Sequence, residues 1–496
     1  MFLLKLLGLG GSKRTKVTSD APETMTTPAA APPPKTWIET TLNIEASDLA
    51  GLPYSAAASM CTLGAYYYLQ PLGDTLALSM GLEFTPLVTV GNMCLILIVN
   101  PIYAAGVRVL PTASVVPWMF RIVSLMLLAF AVMFAKFPDW KALSFAFAVY
   151  VGTISLFTTT TLNARLASLH SKAEAKRVYG IIAAGSQTGQ LGSSLSAPIL
   201  FGLPGNLVVI PAALLYEFAV QLIACRGKIG KTGEENNTPN PAADGASASE
   251  KEKLKAKEAT PAAAEPSSKE EGGSAIGNCL YSMFGGFYIL LSTPFLRAIT
   301  GHTLLITFLV SGVWYERAAA VSNAFHTSEE QYDFFATLNA IVGTLTLIVQ
   351  TLFFSHILKI LGFNGTLVAE PVALMVGLIT AIVHPGLLSI AILDGMRKVF
   401  HYSLVKPTKE GLYAAFPKDV VFIAKPLLDT LVYRTGSLIG AGYFTAAIKW
   451  GMTPKMRQYL LLAVAVVWAG NSWWLGVLAE RHQKEQEEEK KSKEII

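Results

Sequence analysis

The stretch LLSIAILDGMRKVFHYSLVKPTKE, residues 387–410, sets Asp394, Arg397, Lys398 and His401 into an otherwise apolar run. Spacings of three, four and seven residues place all four along one side of a helix. In hydrocarbon a charge at mid-depth costs roughly 3 kcal/mol on insertion scales, so such a helix is expected to face a water-filled path or a partner. A second cation of this kind, Arg434, stands in LLDTLVYRTGSLIGAGYF, with Asp429 five residues earlier and Asp74 as a further possible partner. YVGTISLFTTTTLNARLASL supplies a milder polar lining through Thr153, Thr160, Thr161, Asn163 and Arg165. Collected on one side of the membrane, Arg165, Lys176, Arg177, Arg397, Lys398, Lys406 and Arg434 outnumber Asp394 and Asp429, with Glu174 and Glu410 at the rim. An excess of guanidinium and ammonium groups suits phosphate or carboxylate, because arginine offers paired donors and low dielectric strengthens the attraction. It suits a sugar or a metal cation poorly.

The elements that must position these groups are membrane helices. Hydrophobic residues make up 52% of the 496 and charged ones 15%, and mean hydropathy is +0.45. Apolar runs long enough to cross about 30 Å of hydrocarbon are expected near 56–79, 84–106, 112–135, 142–164, 178–200 and 203–224. A second set lies near 299–322, 333–356, 363–384, 386–405, 427–448 and 457–479. The expected fold class is therefore all-α integral membrane, with about twelve helices in two six-helix pseudo-repeats. Lysine and arginine concentrate on one side when the N-terminus is cytoplasmic, Lys5, Arg14, Arg108, Lys172 and Lys359 among them. The other side keeps Lys136, Lys141, Arg317, Lys449, Lys455 and Arg457. Both termini then read as cytoplasmic in a multi-pass protein, and the plasma membrane and a plastid-type envelope both remain open.

The expected domains are a tail over 1–48, a six-helix bundle over 49–225, a cytoplasmic linker over 226–275, a second bundle over 276–480 and a charged helical tail over 481–496. The linker mixes charge with Pro, Ala, Ser and Gly and has too little apolar surface to offset ordering entropy.

A G-S-x-x-G pattern occurs twice, as Gly185, Ser186 and Gly189 in the fifth expected helix and as Gly436, Ser437 and Gly440 in the eleventh. Each occupies the fifth position of its own half, so the chain reads as an internal duplication. Small residues four apart let helix backbones approach closely, which drives association where lipid removes the hydrophobic effect. The duplication assigns these glycines to an interface at which helices rock.

Several classes of function find no support. Cys61, Cys94, Cys225 and Cys279 have no metal-ligand spacing, so neither a disulfide nor a metal site is assigned, and no cofactor is expected. There is no nucleophile triad, P-loop or metal-binding helix motif, and no enzyme is expected. The net charge of +5 follows from topology and does not signal nucleic acid. The sequons at Asn236 and Asn364 fall on the expected inner side, where glycosylation does not occur.

YYYLQPLGDTLA, SKAEAKRVYGIIAAGSQTGQLG, MRKVFHYSLVKPTKEGLY and LLDTLVYRTGSLIGAGYF resemble, in order and spacing over most of residues 50–450, the ATP/ADP antiporter family of plastids and intracellular bacteria. Matching positions are Lys176, Arg177, Tyr179, Tyr402, Pro407, Lys409, Glu410, Asp429, Arg434 and Gly436. Gln70 and Gly73 replace basic residues of the family's first-helix block, while Pro71 and Asp74 remain, and Ser437 stands near a family lysine. The resemblance implies nucleotide exchange on a major facilitator-like fold, typically ATP for ADP. The interior polar and charged residues and the family's motif positions together make Gln70, Asp74, Asn163, Arg165, Lys176, Arg177, Asp394, Arg397, Lys398, His401, Lys406 and Arg434 the candidate substrate site. The partners expected are the lipid bilayer and a small anion. Transport of another organic anion, or a non-transporting receptor or scaffold on a degenerate transporter fold, are the alternatives.

Overall fold

Apolar runs bounded by prolines and polar caps become helices in the computed structural model, which describes residues 51–170, 172–201, 208–235, 290–291, 293–413 and 427–495. In chain order they are α1 (Leu52–Ser79), α2 (Thr85–Val109), α3 (Thr112–Lys136), α4 (Lys141–Leu169), α5 (Lys172–Phe201) and α6 (Val209–Glu235). The second set is α7 (Pro294–Ala324), α8 (Ser328–Ile348), α9 (Phe354–Val383), α10 (Leu387–Phe400), α11 (Tyr433–Lys449) and α12 (Pro454–Ile495). Among the described residues there is no strand.

Local chemistry fixes the starts. Thr293 caps α7 by accepting from the Leu296 amide, with Pro294 at the first helical position. Thr327 and Glu330 form a reciprocal capping box on α8. Gly81 and Gly451 take positive φ in the turns after α1 and α11, a backbone conformation that strains a residue with a Cβ.

Four departures from regular helix matter for the site. α8 ends in a π-helical turn over Val349–Phe353, and Gly362 breaks α9 with φ of 65°. The apolar run expected to begin at 363 starts just past that break. α10 passes through a π turn, His401–Val405, into a further helical segment, Lys406–Tyr413, and α11 is preceded by a third such turn, Leu428–Val432. Single π turns inside α-helices recur at functional sites.

Eight helices among the described residues, α2, α3, α4, α6, α7, α8, α9 and α12, are both long and apolar enough to cross a membrane. The other four are α1, α5, α10 and α11; α5 and α11 carry the paired glycines, and α1 and α10 carry Asp74, Asp394, Arg397 and Lys398. α6 continues to Glu235, ten residues past the expected end of the first bundle at 225. The tail over 1–48 and the linker beyond 235 lie outside the described residues. The charged C-terminal extension continues α12 as one helix.

The paired glycines show what the duplication does. A Cβ at Gly185 would lie 2.7 Å from the Ala56 carbonyl oxygen, and one at Gly189 would collide with the Met60 carbonyl. In the second half a Cβ at Gly436 would collide with Thr307, and one at Gly440 would sit 2.7 Å from Ser311 Cβ. α5 is thus pressed on α1, and α11 on α7, by equivalent glycines. Both contacts lie within a half, α1 with α5 and α7 with α11.

Candidate functional site

Between the halves, α1, α7 and α10 bring together a buried ion network. Arg317 of α7 donates from Nη1 to Asp394 Oδ2 of α10 at 2.9 Å and from Nη2 to Asp74 Oδ2 of α1 at 3.1 Å. Asp394 also accepts from Arg397 Nη2 at 2.9 Å and lies 2.9 Å from Lys398 Nζ. The one-sided spacing of Asp394, Arg397 and Lys398 therefore forms a single contact set around the carboxylate. Arg317 is 2% exposed and stacks over the Phe335 ring of α8. The network counts three cations against two carboxylates, a net charge of +1 (3 − 2).

Nearby contacts close the same end of the bundle. Asn339 of α8 donates to Gln70 Oε1 at 3.3 Å, and Gln190 of α5 donates to the Asn339 carbonyl at 3.2 Å. Tyr332 bonds the Tyr68 carbonyl, and the hydroxyls of Thr89 and Tyr315 meet at 2.7 Å. Leu78 packs with Ala318, Val321 and Phe335 from the opposite half.

Farther along α10 and α11 the side chains reach solvent. Tyr402 and Tyr433 are 36% and 40% exposed, and Tyr66 of α1 lies near both. These rings gather where α1, α10 and α11 meet. Lys406 lies over the Tyr402 ring at 5.8 Å, and the Arg434 guanidinium over the Tyr433 ring at 5.6 Å. Arg434 has no ion pair with any carboxylate among the described residues; its charge interacts with Tyr433 and Tyr66. Asp74, a possible partner by sequence, goes to Arg317 instead.

The other candidates separate. Arg397 and Lys398 are engaged by Asp394 and Arg397 is buried, so the accessible cations are Arg434 and Lys406. His401, which opens the π turn, pairs with Glu370 of α9 at 3.1 Å and not with Asp394. Asn163 is exposed, and Arg165 bonds Ser168 at 3.2 Å on its own helix. The side chains of Lys176 and Arg177 lie outside the described set. Thr153 and Thr161 do not line a cleft: they donate to Asn92 and to Tyr103, both of α2, at 3.0 Å each. Asn364 is buried on α9 beside Gly476.

Sequence reasoning placed Arg317 and Arg457 at the outer surface, and the fold buries both. Arg457 forms a bidentate pair with Glu316, the residue next to Arg317. Glu370 was missed altogether. The available signal was a lone acid in an apolar run, which by default marks a functional position in a membrane helix. A shallow groove of about 530 Å³ lined by Tyr68, Pro211, Leu214, Leu215, Glu217, Phe218 and Gln221 lies along α6. It is lined by no cation and belongs to none of these networks.

No protein-family model matches the chain, and no curated protein matches it in sequence. Among solved structures it is similar to a bacterial homologue of the iron transporter ferroportin in an inward-facing state, with 13% identity, 86% of this chain and 99% of that one covered, and a TM-score of 0.53. It is also similar to an auto-inhibited POT family peptide transporter, at 11% identity, 88% and 97% coverage and a TM-score of 0.51. A bacterial homologue of the human lysosomal transporter Spinster, inward-facing and unoccupied, matches at 13% identity, 87% and 98% coverage and a TM-score of 0.50. At such identities the likeness concerns the fold. The chain is a multi-pass, all-α membrane protein with a major facilitator-like fold.

Proposed function

We propose that this protein is a secondary transporter of nucleotides, moving them by alternating access between the two six-helix halves. The observation that carries the reading is Arg434, a partly exposed cation with no carboxylate to neutralise it among the described residues, and the gap where α1, α10 and α11 meet is read as the substrate cleft. Such a guanidinium awaits an anion, and its fork suits phosphate. Lys406 adds a second accessible cation, and the Tyr402 and Tyr433 rings offer flat faces of the kind that heteroaromatic rings stack on. Support for ATP and ADP in particular comes from the sequence resemblance to the ATP/ADP antiporters. The neighbours' inward-facing states support placing the closed end, with Asp74, Arg317 and Asp394, on the outer side.

Exchange of labelled ATP against internal ADP in proteoliposomes tests the reading. Arg434→Ala is expected to weaken nucleotide affinity by roughly 1.5–3 kcal/mol, about tenfold to over a hundredfold, without loss of folded protein. Arg434→Lys recovers part of it, since a point charge cannot replace a fork. Flux of a non-phosphorylated organic anion in place of ATP would move the cargo to that class. A folded wild type with no flux of either would leave a receptor or scaffold.

A further inference from the structure

We propose that Glu370 and His401 form a proton-binding site that couples proton movement to anion transport, an inference that rests on the transport reading above. Glu370 stands midway along the span His356–Val383, is the only acid in it, and is fully buried. Its Oε2 lies 3.1 Å from His401 Nδ1, while Oε1 is buried with no hydrogen-bond partner among the described residues. A carboxylate held in a membrane interior on one hydrogen bond is expensive and is rarely kept for packing alone. Pro371, the next residue, removes a helical hydrogen bond at the same level.

His401 supplies the route for the proton. Its side chain is 27% exposed, and its ring meets the edge of Tyr402, which borders the cleft. The imidazole thus touches both a buried carboxylate and the accessible face of α10. With one proton bound, the pair is imidazolium and carboxylate with no net charge. Without it, neutral imidazole and carboxylate leave one buried negative charge. The proton comes from cleft water and returns to it, and no other bond changes.

The charged and titratable groups around the pair give the coupling its sign. Arg397 on α10 interacts electrostatically with Glu370 on one side and Asp394 on the other. Tyr402 interacts with Glu370, and Lys409 and His302 of α7 complete the surroundings, His302 being sensitive to both Lys409 and His401. α12 turns Trp468 and Ser472 toward His302. Arg397 is therefore the nearest compensating cation for a deprotonated pair. An anion bound at Arg434 and Lys406, beside the Tyr402 ring that His401 touches, adds negative charge near the pair, so it raises the affinity of the pair for a proton; by reciprocity the proton raises the affinity for the anion. Anion and proton then travel together.

The test needs a readout that does not depend on cargo. Leu78 is buried between the halves at the closed end, so a Leu78→Cys protein lacking its other cysteines reports opening through its labelling rate. Relative to the same protein carrying Glu370→Gln, that rate is expected to change by about threefold or more between about pH 5 and 8, the range in which histidine titrates. His401→Gln is expected to remove the same pH dependence, which keeps the test open if the Glu370 variant fails to fold. A pH dependence identical in all folded variants overturns the proposal. In proteoliposomes, an inside-alkaline gradient is expected to raise labelled ATP uptake several-fold in the wild type and to have no effect in either variant, whatever their rates without a gradient. ATP uptake that ignores the gradient in the wild type also overturns it. Absence of any ATP flux refutes the nucleotide reading, and the labelling titration then decides the proton site by itself.

Discussion

Asp74 and Arg317 make a buried ion pair between the two halves, and replacing Asp74 by its isosteric amide tests whether that pair latches the closed end. Asp74→Asn keeps the shape and an acceptor for Arg317 Nη2, now at 3.1 Å, but removes the charge. A hydrogen bond to a charged group contributes about 1.5–3 kcal/mol and a neutral one about 1, so the closed end loses roughly 0.5–2 kcal/mol. Arg317 keeps Asp394, and the network rises from +1 to +2, which adds repulsion in the same direction. If the carboxylate is solvated when this end opens, the loss applies only to the closed state, and the open population rises about 2- to 30-fold. The Leu78→Cys labelling rate reads this directly, because Leu78 is sealed by Ala318, Val321 and Phe335 only while the halves touch. Arg317→Met should open the end as well, at a greater cost in stability, since Asp74 is then left with no cation in contact. Unchanged labelling in both folded variants would refute the latch and leave the network as internal scaffolding.

Other substitutions separate packing from chemistry. Gly189→Ala is expected to reduce the yield of monodisperse protein and its heat resistance, because the added Cβ meets the Met60 backbone, whereas Gly192→Ala, with open space around it, should be neutral by the same size-exclusion and melting measurements. Glu316→Gln leaves Arg457 buried without a charge partner and should cost about 3–5 kcal/mol, lowering the melting temperature; Glu316→Leu with Arg457→Met should restore most of it. Thr327→Ala removes the side-chain half of the α8 capping box and should cost about 1 kcal/mol, seen as a small drop in thermal stability with transport retained.

How far the sequence reaches can be judged residue by residue. Periodicity and apolar length were enough for the helices and their order, because each membrane helix satisfies its own backbone and needs no partner to be helical. Repetition of G-S-x-x-G was enough to pair the fifth and eleventh helices, and local spacing was enough to gather Arg397 and Lys398 on Asp394, since residues three and four apart are neighbours on any helix. Tertiary structure decided everything that depends on which helix lies opposite. Arg317 reads as a surface cation until α1 and α10 supply Asp74 and Asp394 from 243 and 77 residues away. The glycines read as a close-packing face without a partner until Met60 and Thr307 supply one within each half. His401 reads as one more group beside Asp394 until α9 supplies Glu370. Local pattern fixes what a helix is and which of its residues share a face. The partner of a buried charge is chosen by whichever distant helix removes the cost of leaving it alone, and no window of sequence contains that information.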